Sequence, residues 1–307
     1  AARTPADDRA ASLPSTLAYT PYSILHTLIA KMPRLLALLL SLATAVPGPL
    51  LDRTPGVVSY TFRNEFKADM PATFDKVKGF GITDIEMSNL FGQEPAKIRA
   101  LMDARGISCS SYGAPYNDVL KKTDEVAAVA KVLGAKYVRV SLPGSKTPFD
   151  KTAATQRAAE MNAMGKQLRE KHGLTFVLHN HGMEFVAEGK GTLYDFIHEQ
   201  TRPEDVSFEL DVLWAYLPGA DPVVIFEKYG ARIPLMHVKD VRKGLPRTWG
   251  HKYDSDNDVT LGTGQLDQSA IFAAAKKAGV KHFYLEDESS HSLAQVPQSI
   301  AFLKADR

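Results

Sequence analysis

The 307-residue sequence has one cysteine, Cys109, which excludes an intrachain disulfide and any multi-cysteine zinc site. Set in GISCSSYG, a short strand-like run, that thiol reads as a small buried hydrophobe rather than a nucleophile. An excess of charge is missing too. Thirty-seven basic residues against 35 acidic ones leave a formal +2, and no Lys/Arg block exceeds two residues, so nucleic acid finds no electrostatic footprint. No Arg cluster or Gly-rich phosphate cradle occurs either, which favours an unphosphorylated ligand.

Long apolar runs are scarce. The longest, LLALLLSLATAV from Leu35, has about a dozen residues, too few to span a bilayer but the length of a signal-peptide core. Met32-Pro33-Arg34 before it and Ala43 to Ala45 after it complete that pattern. Residues 1–31 then read as an over-extended, unstructured start, 32–45 as a signal peptide and 46–55 as a linker, with 56–307 as the catalytic domain. The expectation is export to the periplasm or outside the cell; a buried N-terminal helix, and with it a cytoplasmic protein, is the alternative.

What is present is a repeat. From Gly56 onward a short β-rich run, a polar turn and an amphipathic helical stretch recur. Strand candidates are 56–62, 84–89, 107–113, 137–144, 175–181, 207–214, 234–240 and 282–288. Asp221-Pro222 and Asp267 mark helix starts, and Gly279 a helix end. Eight such units in about 250 residues predict a single (β/α)8 TIM barrel. An open doubly wound sheet is disfavoured because no Gly-rich loop follows the first strand.

Period-two alternation then sorts the strand faces. Ile85 and Met87 oppose Glu86; Phe208 and Leu210 oppose Glu209 and Asp211; Met236 and Val238 oppose His237 and Lys239; Phe283 and Leu285 oppose Tyr284 and Glu286. Apolar faces meet the helices, so Glu86, His179, His181, Asp211, His237 and Glu286 point into the barrel. Several carboxylates around one axis are costly unless a cation or imidazoles compensate. One divalent ion, Mn2+, Mg2+, Co2+ or Zn2+, resolves the conflict. Glu209, one pleat deeper than Asp211, is expected to orient His179 or pair internally, Asp240 and Asp287 to make loop contacts, and Asn180 to point outward and anchor the turn after strand five.

At this point the chain resembles the xylose isomerase-like TIM barrels known as sugar phosphate isomerases/epimerases. The resemblance covers about 56–305 and rests on GITDIEMSN, LHNHGMEF, FELDVLWAY, GADPV, RIPLMHVKD, LGTGQLD and YLEDE. It implies one divalent cation held by Asp211, His237 and Glu286. The family's strand-five Glu is replaced by His179, in a subgroup bearing HNH whose members resemble enzymes on keto-sugars or polyols, including lyases. Trp214 stands where related endonucleases carry another metal-binding His, which disfavours DNA repair.

The implied chemistry is deprotonation beside a carbonyl, with the enediolate stabilised by the metal. His181 is the expected acid/base, nearer the rim than His179, although both point inward and the two could exchange roles. Glu286 is expected to share proton transfer, and Lys239 to hold an oxyanion or hydroxyl, unless it closes a salt bridge with Asp211 or Glu286. Glu86, Glu184, Trp214 and Lys239 are the substrate-binding candidates, with Trp214 as an aromatic plate and with Glu184 either bonding substrate or fixing His181. The glycines of LGTGQLD fit either a plain turn or a close backbone approach to ligand. The expected partner is a small-molecule carbohydrate, with a homo-oligomer left open and no membrane after leader cleavage. The first functional reading is a sugar isomerase/epimerase; the alternatives are a lyase or dehydratase on a 3-keto-glycoside or inosose, and a non-catalytic sugar-binding barrel.

Overall fold

The computed structural model describes residues 48–144, 148–247 and 253–306. The leader and over-extended start read from the sequence lie outside the described residues. Residues 48–55, expected as linker, pack on the barrel: Leu51 is buried and its N–H donates to Leu303 O at 3.0 Å.

Eight parallel strands close the barrel: β1 Gly56–Val58, β2 Asp84–Met87, β3 Ser108–Gly113, β4 Tyr137–Ser141, β5 Thr175–His179, β6 Val206–Asp211, β7 Leu235–Val238 and β8 His282–Leu285. Each pairs with its neighbour in the chain, and β8 closes on β1. All eight expected strands are present, and their ends differ in ways that matter for the site. The run after Val58 turns into a 3-10 helix, Ser59–Phe62, because Ser59 Oγ bonds Ser88 Oγ at 2.8 Å and accepts the Ser88 N–H at 2.8 Å. The ladder also stops at His179 and at Val238, leaving His181 and Lys239 beyond strand ends.

Inside the barrel the parity argument holds layer by layer. Val58, Val177, Leu235 and Tyr284 form a small apolar plug of their own, separate from the large core between strands and helices. Gly56 makes room for that plug, since a Cβ there would lie 2.8 Å from the Tyr284 ring. Above the plug lie Glu86, Arg139, His179, Glu209, Asp211 and His237, so the C-terminal half of the barrel is a charged chamber on an apolar floor. The C-terminal end is where barrel enzymes carry their chemistry.

The helices follow their sequence signals. Asp221 accepts the Val223 N–H at 2.9 Å ahead of the helix Pro222–Tyr229, and Gly279 ends Gln268–Ala278 with φ 83°. One glycine runs against its propensity. Gly165 sits near the end of Lys151–Gln167, where a Cβ would lie 2.0 Å from Asp205 O. An alanine in a helix interior ordinarily stabilises by roughly 0.5–1 kcal/mol. Here Gly165→Ala is expected to destabilise the protein by about 1–3 kcal/mol, read as a lower urea midpoint at unchanged slope.

Candidate active site and metal centre

Asp211 is the last residue of β6, and its two carboxylate oxygens have separate duties. Oδ1 caps the short helix Val212–Tyr216, accepting the Leu213 and Trp214 N–H groups at 2.9 Å each. Oδ2 is buried without a hydrogen bond among the described residues and lies 3.7 Å from both His237 Nδ1 and Lys239 Nζ. Asn180 fixes the Asp211 peptide from β5's end: its Nδ2 donates to Asp211 O at 3.1 Å, and its Oδ1 accepts the Asp211 N–H at 3.0 Å. The residue expected to point outward and anchor a turn instead clamps two strand ends together in the interior.

His237 of β7 lies level with Asp211 and with Tyr284 in the ladder. Its Nδ1 is 3.0 Å from Glu286 Oε2, and its Nε2 is 3.0 Å from both Glu86 Oε1 and Glu209 Oε2. His179, its ring centroid 4.5 Å from that of His237, turns Nδ1 to Glu209 Oε2 at 3.2 Å. Ligand atoms of His179, Asp211 and His237 all lie within 4.8 Å of one another. Glu286 extends this trio through its contact with His237. Two imidazoles and two carboxylates, one with a buried oxygen lacking a hydrogen bond, suit a first-row divalent cation. The cluster is therefore compatible with the metal expected from the sequence.

The charges are mutually compensating. Burial works against ionising Glu286, but Lys239 and His237 outweigh it and hold the carboxyl well below its usual range. Burial likewise opposes the charge on Lys239, which Glu286 at 2.9 Å and Glu288 at 2.6 Å more than restore. Burial also opposes charging His237, yet Glu209, Glu286 and Glu86 raise it well above the imidazole range. His179 is held well below that range, by burial first and then by the charges of His237 and His181. His181 is depressed to about 4 by burial, although Asp211 and Glu286 pull the other way. At neutral pH His181 is an uncharged imidazole with a proton-accepting nitrogen.

Above this cluster opens a cavity of about 320 Å3. His179, His181, His237 and Glu286 reach it, Trp214 and Tyr60 line it, and Ser88, Asn89 and Ser141 supply neutral polar groups. The His181 ring lies between those of His179, at 4.9 Å, and Trp214, at 5.4 Å. Trp214 in turn meets Tyr253 edge-on at 5.6 Å.

Not every expected contact reaches this cavity. Glu86 is fully buried beneath His237, bonded by Ser111 Oγ at 2.6 Å and Arg139 Nη2 at 2.8 Å. Glu184 is fully buried as well, and its Oε2 accepts the His181 backbone N–H at 3.0 Å, so it fixes the turn that carries His181. Lys239, 1 % exposed, closes the salt bridge to Glu286 weighed from the sequence and adds Glu288. The LGTGQLD glycines approach a carboxylate of the protein: Asp240 accepts the N–H groups of Val241, Gly262, Gly264 and Leu266 at 2.9–3.1 Å. A Cβ on Gly264 would lie 2.1 Å from Asp240 Oδ1.

Arg139 and Glu288 were missed. Arg139 lines the cavity and pairs with Glu86, with Glu209 3.7 Å away. The signal was available, because Val138 and Val140 of YVRVS face outward and the same alternation puts Arg139 inside. Glu288 lies three residues past the end of β8, where alternation no longer applies.

The sequence profile of the xylose isomerase-like TIM barrel family matches residues 74–306. An inosose dehydratase of Geobacillus kaustophilus is 26% identical over 212 residues, covering 62% of this chain and 66%, just under two thirds, of the relative. A sugar phosphate isomerase/epimerase from Parabacteroides distasonis superposes with a TM-score of 0.66 at 24% identity, over 86% of this chain and 96% of that one. IolI protein with a bound zinc atom superposes with a TM-score of 0.64 at 14% identity, over 81% and 94%.

Proposed function

Because the chain belongs to the xylose isomerase-like TIM barrel family, we propose that it is a divalent-metal-dependent enzyme that removes a proton beside the carbonyl of an unphosphorylated keto-sugar or keto-cyclitol. The observation that carries this reading is the cluster His179, Asp211, His237 and Glu286 beneath a cavity whose wall holds the uncharged imidazole of His181. A divalent cation held by those four side chains would supply Lewis-acid polarisation of the substrate carbonyl. The protein's own residues do the rest. Trp214 offers its face to substrate C–H groups, and Ser88, Asn89 and Ser141 accept or donate to hydroxyls. His181 takes the α-proton at a ring nitrogen, held in place by Glu184 through its own peptide N–H.

Two reactions are open to the deprotonated substrate, and elimination is the better supported. Glu286 is tied to His237 and Lys239, which leaves His181 as the cavity's proton-transfer group without an ion pair among the described residues. One such group serves a dehydration: the α C–H electrons form the double bond, the β-hydroxyl leaves, and His181 returns its proton to it as water. The relatives named inosose dehydratase agree with that outcome. Isomerisation needs the same first step and is the second reading, supported by the fold likeness to the sugar phosphate isomerase/epimerase.

The test is to incubate the Mn2+-, Mg2+-, Co2+- or Zn2+-loaded protein with inososes, 3-keto-glycosides and free ketoses in D2O. Dehydration appears as a conjugated enone with loss of water, and isomerisation as deuterium in a recovered sugar. A protein that neither labels nor eliminates with any metal, yet binds these sugars, is a carbohydrate-binding barrel, and the enzymatic reading fails.

A further inference from the structure

The cavity above the candidate ligands carries acids on one wall and a cation on the facing one. Glu286 and Glu288 follow β8, whereas Arg139 is on β4, the strand opposite β8 in the closed barrel. Arg139 is the one Arg or Lys among the described residues that line the cavity. The two acids are already answered, since Lys239 Nζ lies 2.9 Å from Glu286 and 2.6 Å from Glu288. Arg139 is answered along one edge only. Its Nε and Nη2 both reach Glu86 Oε1, at 3.0 and 2.8 Å. Nη1 makes no hydrogen bond among the described residues, so the end-on pair of N–H groups, one on Nη1 and one on Nη2, is left over. The adjoining strand makes room for the guanidinium. Gly113 ends β3 level with Arg139 in the ladder, and a Cβ on it would lie 2.9 Å from Nη2 and 3.0 Å from Cζ. Ser88, Asn89 and Ser141 line the same cavity without charge and so leave the cation unneutralised on that side.

We propose that the free fork of Arg139 binds a carboxylate of the substrate, so that the enzyme acts on a keto-sugar acid whose acid group lies against β4. This names the substrate class of the site described above and rests on its reading as a keto-sugar or keto-cyclitol site. Two parallel N–H groups of a planar guanidinium match the two oxygens of a carboxylate. A phosphate fits the same fork, but its further oxygens call for a second Arg or a Gly-rich loop, and the sequence has neither. Against β4 a carboxylate is also kept across the cavity from Glu286 and Glu288, where like charge would repel it.

The test is calorimetric titration near pH 7 with methyl glucoside, methyl glucuronoside and methyl glucoside 6-phosphate, which lack a free carbonyl and so report binding without turnover. Mn2+-loaded and chelator-treated protein are both titrated, because a bound cation could itself take a carboxylate. In both, the uronoside is expected to bind roughly 10- to 100-fold more tightly than the neutral glucoside, and more tightly than the phosphate. Arg139→Lys keeps a positive charge beside Glu86 but has no fork, and is expected to lose most of that ratio. A merely structural loss would weaken both glycosides together and leave the ratio unchanged. Should Arg139→Lys not fold, the double variant Glu86→Leu/Arg139→Met, which removes both partners, carries the same expectation. Equal affinity for acid and neutral glycoside, tighter binding of the phosphate, or a ratio that survives in the variants overturns the assignment while leaving proton abstraction to its own test in D2O. Binding of none of the three overturns it as well, and if the D2O test is also silent the carbohydrate reading falls with it.

Discussion

Exchange of Asp211 for asparagine is expected to abolish the proposed binding of a divalent cation and lower turnover by roughly a thousandfold, about 4 kcal/mol, while the barrel stays folded. The substitution isolates one oxygen. An asparagine can still place its amide oxygen where Oδ1 caps the helix Val212–Tyr216 through the N–H groups of Leu213 and Trp214, so that local fold survives. At the Oδ2 position it sets an NH2, a donor facing His237 and Lys239 where the ligand set needs a negative acceptor. Metal content after dialysis against a trace divalent ion and the melting temperature are to be measured together. Retained metal with full turnover would exclude Asp211 as a ligand, and a collapsed melting temperature would show that its cap, not its charge, dominates. Asn180→Ala offers no such separation, because its amide holds the Asp211 peptide itself.

The largest expected change in stability is at Arg139. Arg139→Met leaves the fully buried Glu86 without its guanidinium, and breaking a buried pair from one side costs about 3–5 kcal/mol. The double variant Glu86→Leu/Arg139→Met is expected to recover most of that loss, since the one carboxylate it leaves short of Arg139, Glu209, still faces His179 and His237. The sign with pH comes from Glu86. Burial pushes its carboxyl up, but Arg139 and then His237 outweigh burial and bring it down to about 2, against 4.5 for the free group. A depressed acid contributes stability above its unfolded value, and the contribution is lost as pH falls from about 4.5 toward 2. Without Arg139 the folded carboxyl takes up a proton more readily. The deficit of Arg139→Met is therefore largest near pH 7 and shrinks as pH falls through the variant's own raised Glu86 range toward that of the wild type. Urea unfolding at pH 7 and pH 4 checks both statements; an equal deficit at the two values would mean that lost packing of the arginine stem outweighs its charge.

Period-two alternation made most of the site legible. It assigned Glu86, Asp211, His237 and Glu286 to the interior because a strand in a closed barrel has only two faces, and apolar residues under the helices use one of them. Carried past a strand end, the same rule still placed His181, Lys239 and Glu286 inside but failed for Asn180. His181, Lys239, Asp240 and Glu288 lie past the last ladder residues, where the chain direction is set by turn hydrogen bonds and not by pleat. Asn180, read as outward by simple continuation, was turned in by its pairing with the Asp211 peptide. Glu86 was placed inside correctly in kind but not in depth. Alternation gives the face of a strand, whereas distance from the cavity depends on register between strands.

Local periodicity and turn chemistry, which act over a few residues, were enough to specify the barrel, its eight strands and the gathering of acids and imidazoles at one end. The vertical order of those charges was not written at that range: an apolar plug, then Glu86, then the candidate ligands, then His181 and Trp214 at the cavity, with Arg139 running from Glu86 to the cavity wall. That order comes from the stagger of parallel strands on closing into a barrel, which relates residues 151 positions apart, such as Glu86 and His237, that no local pattern connects.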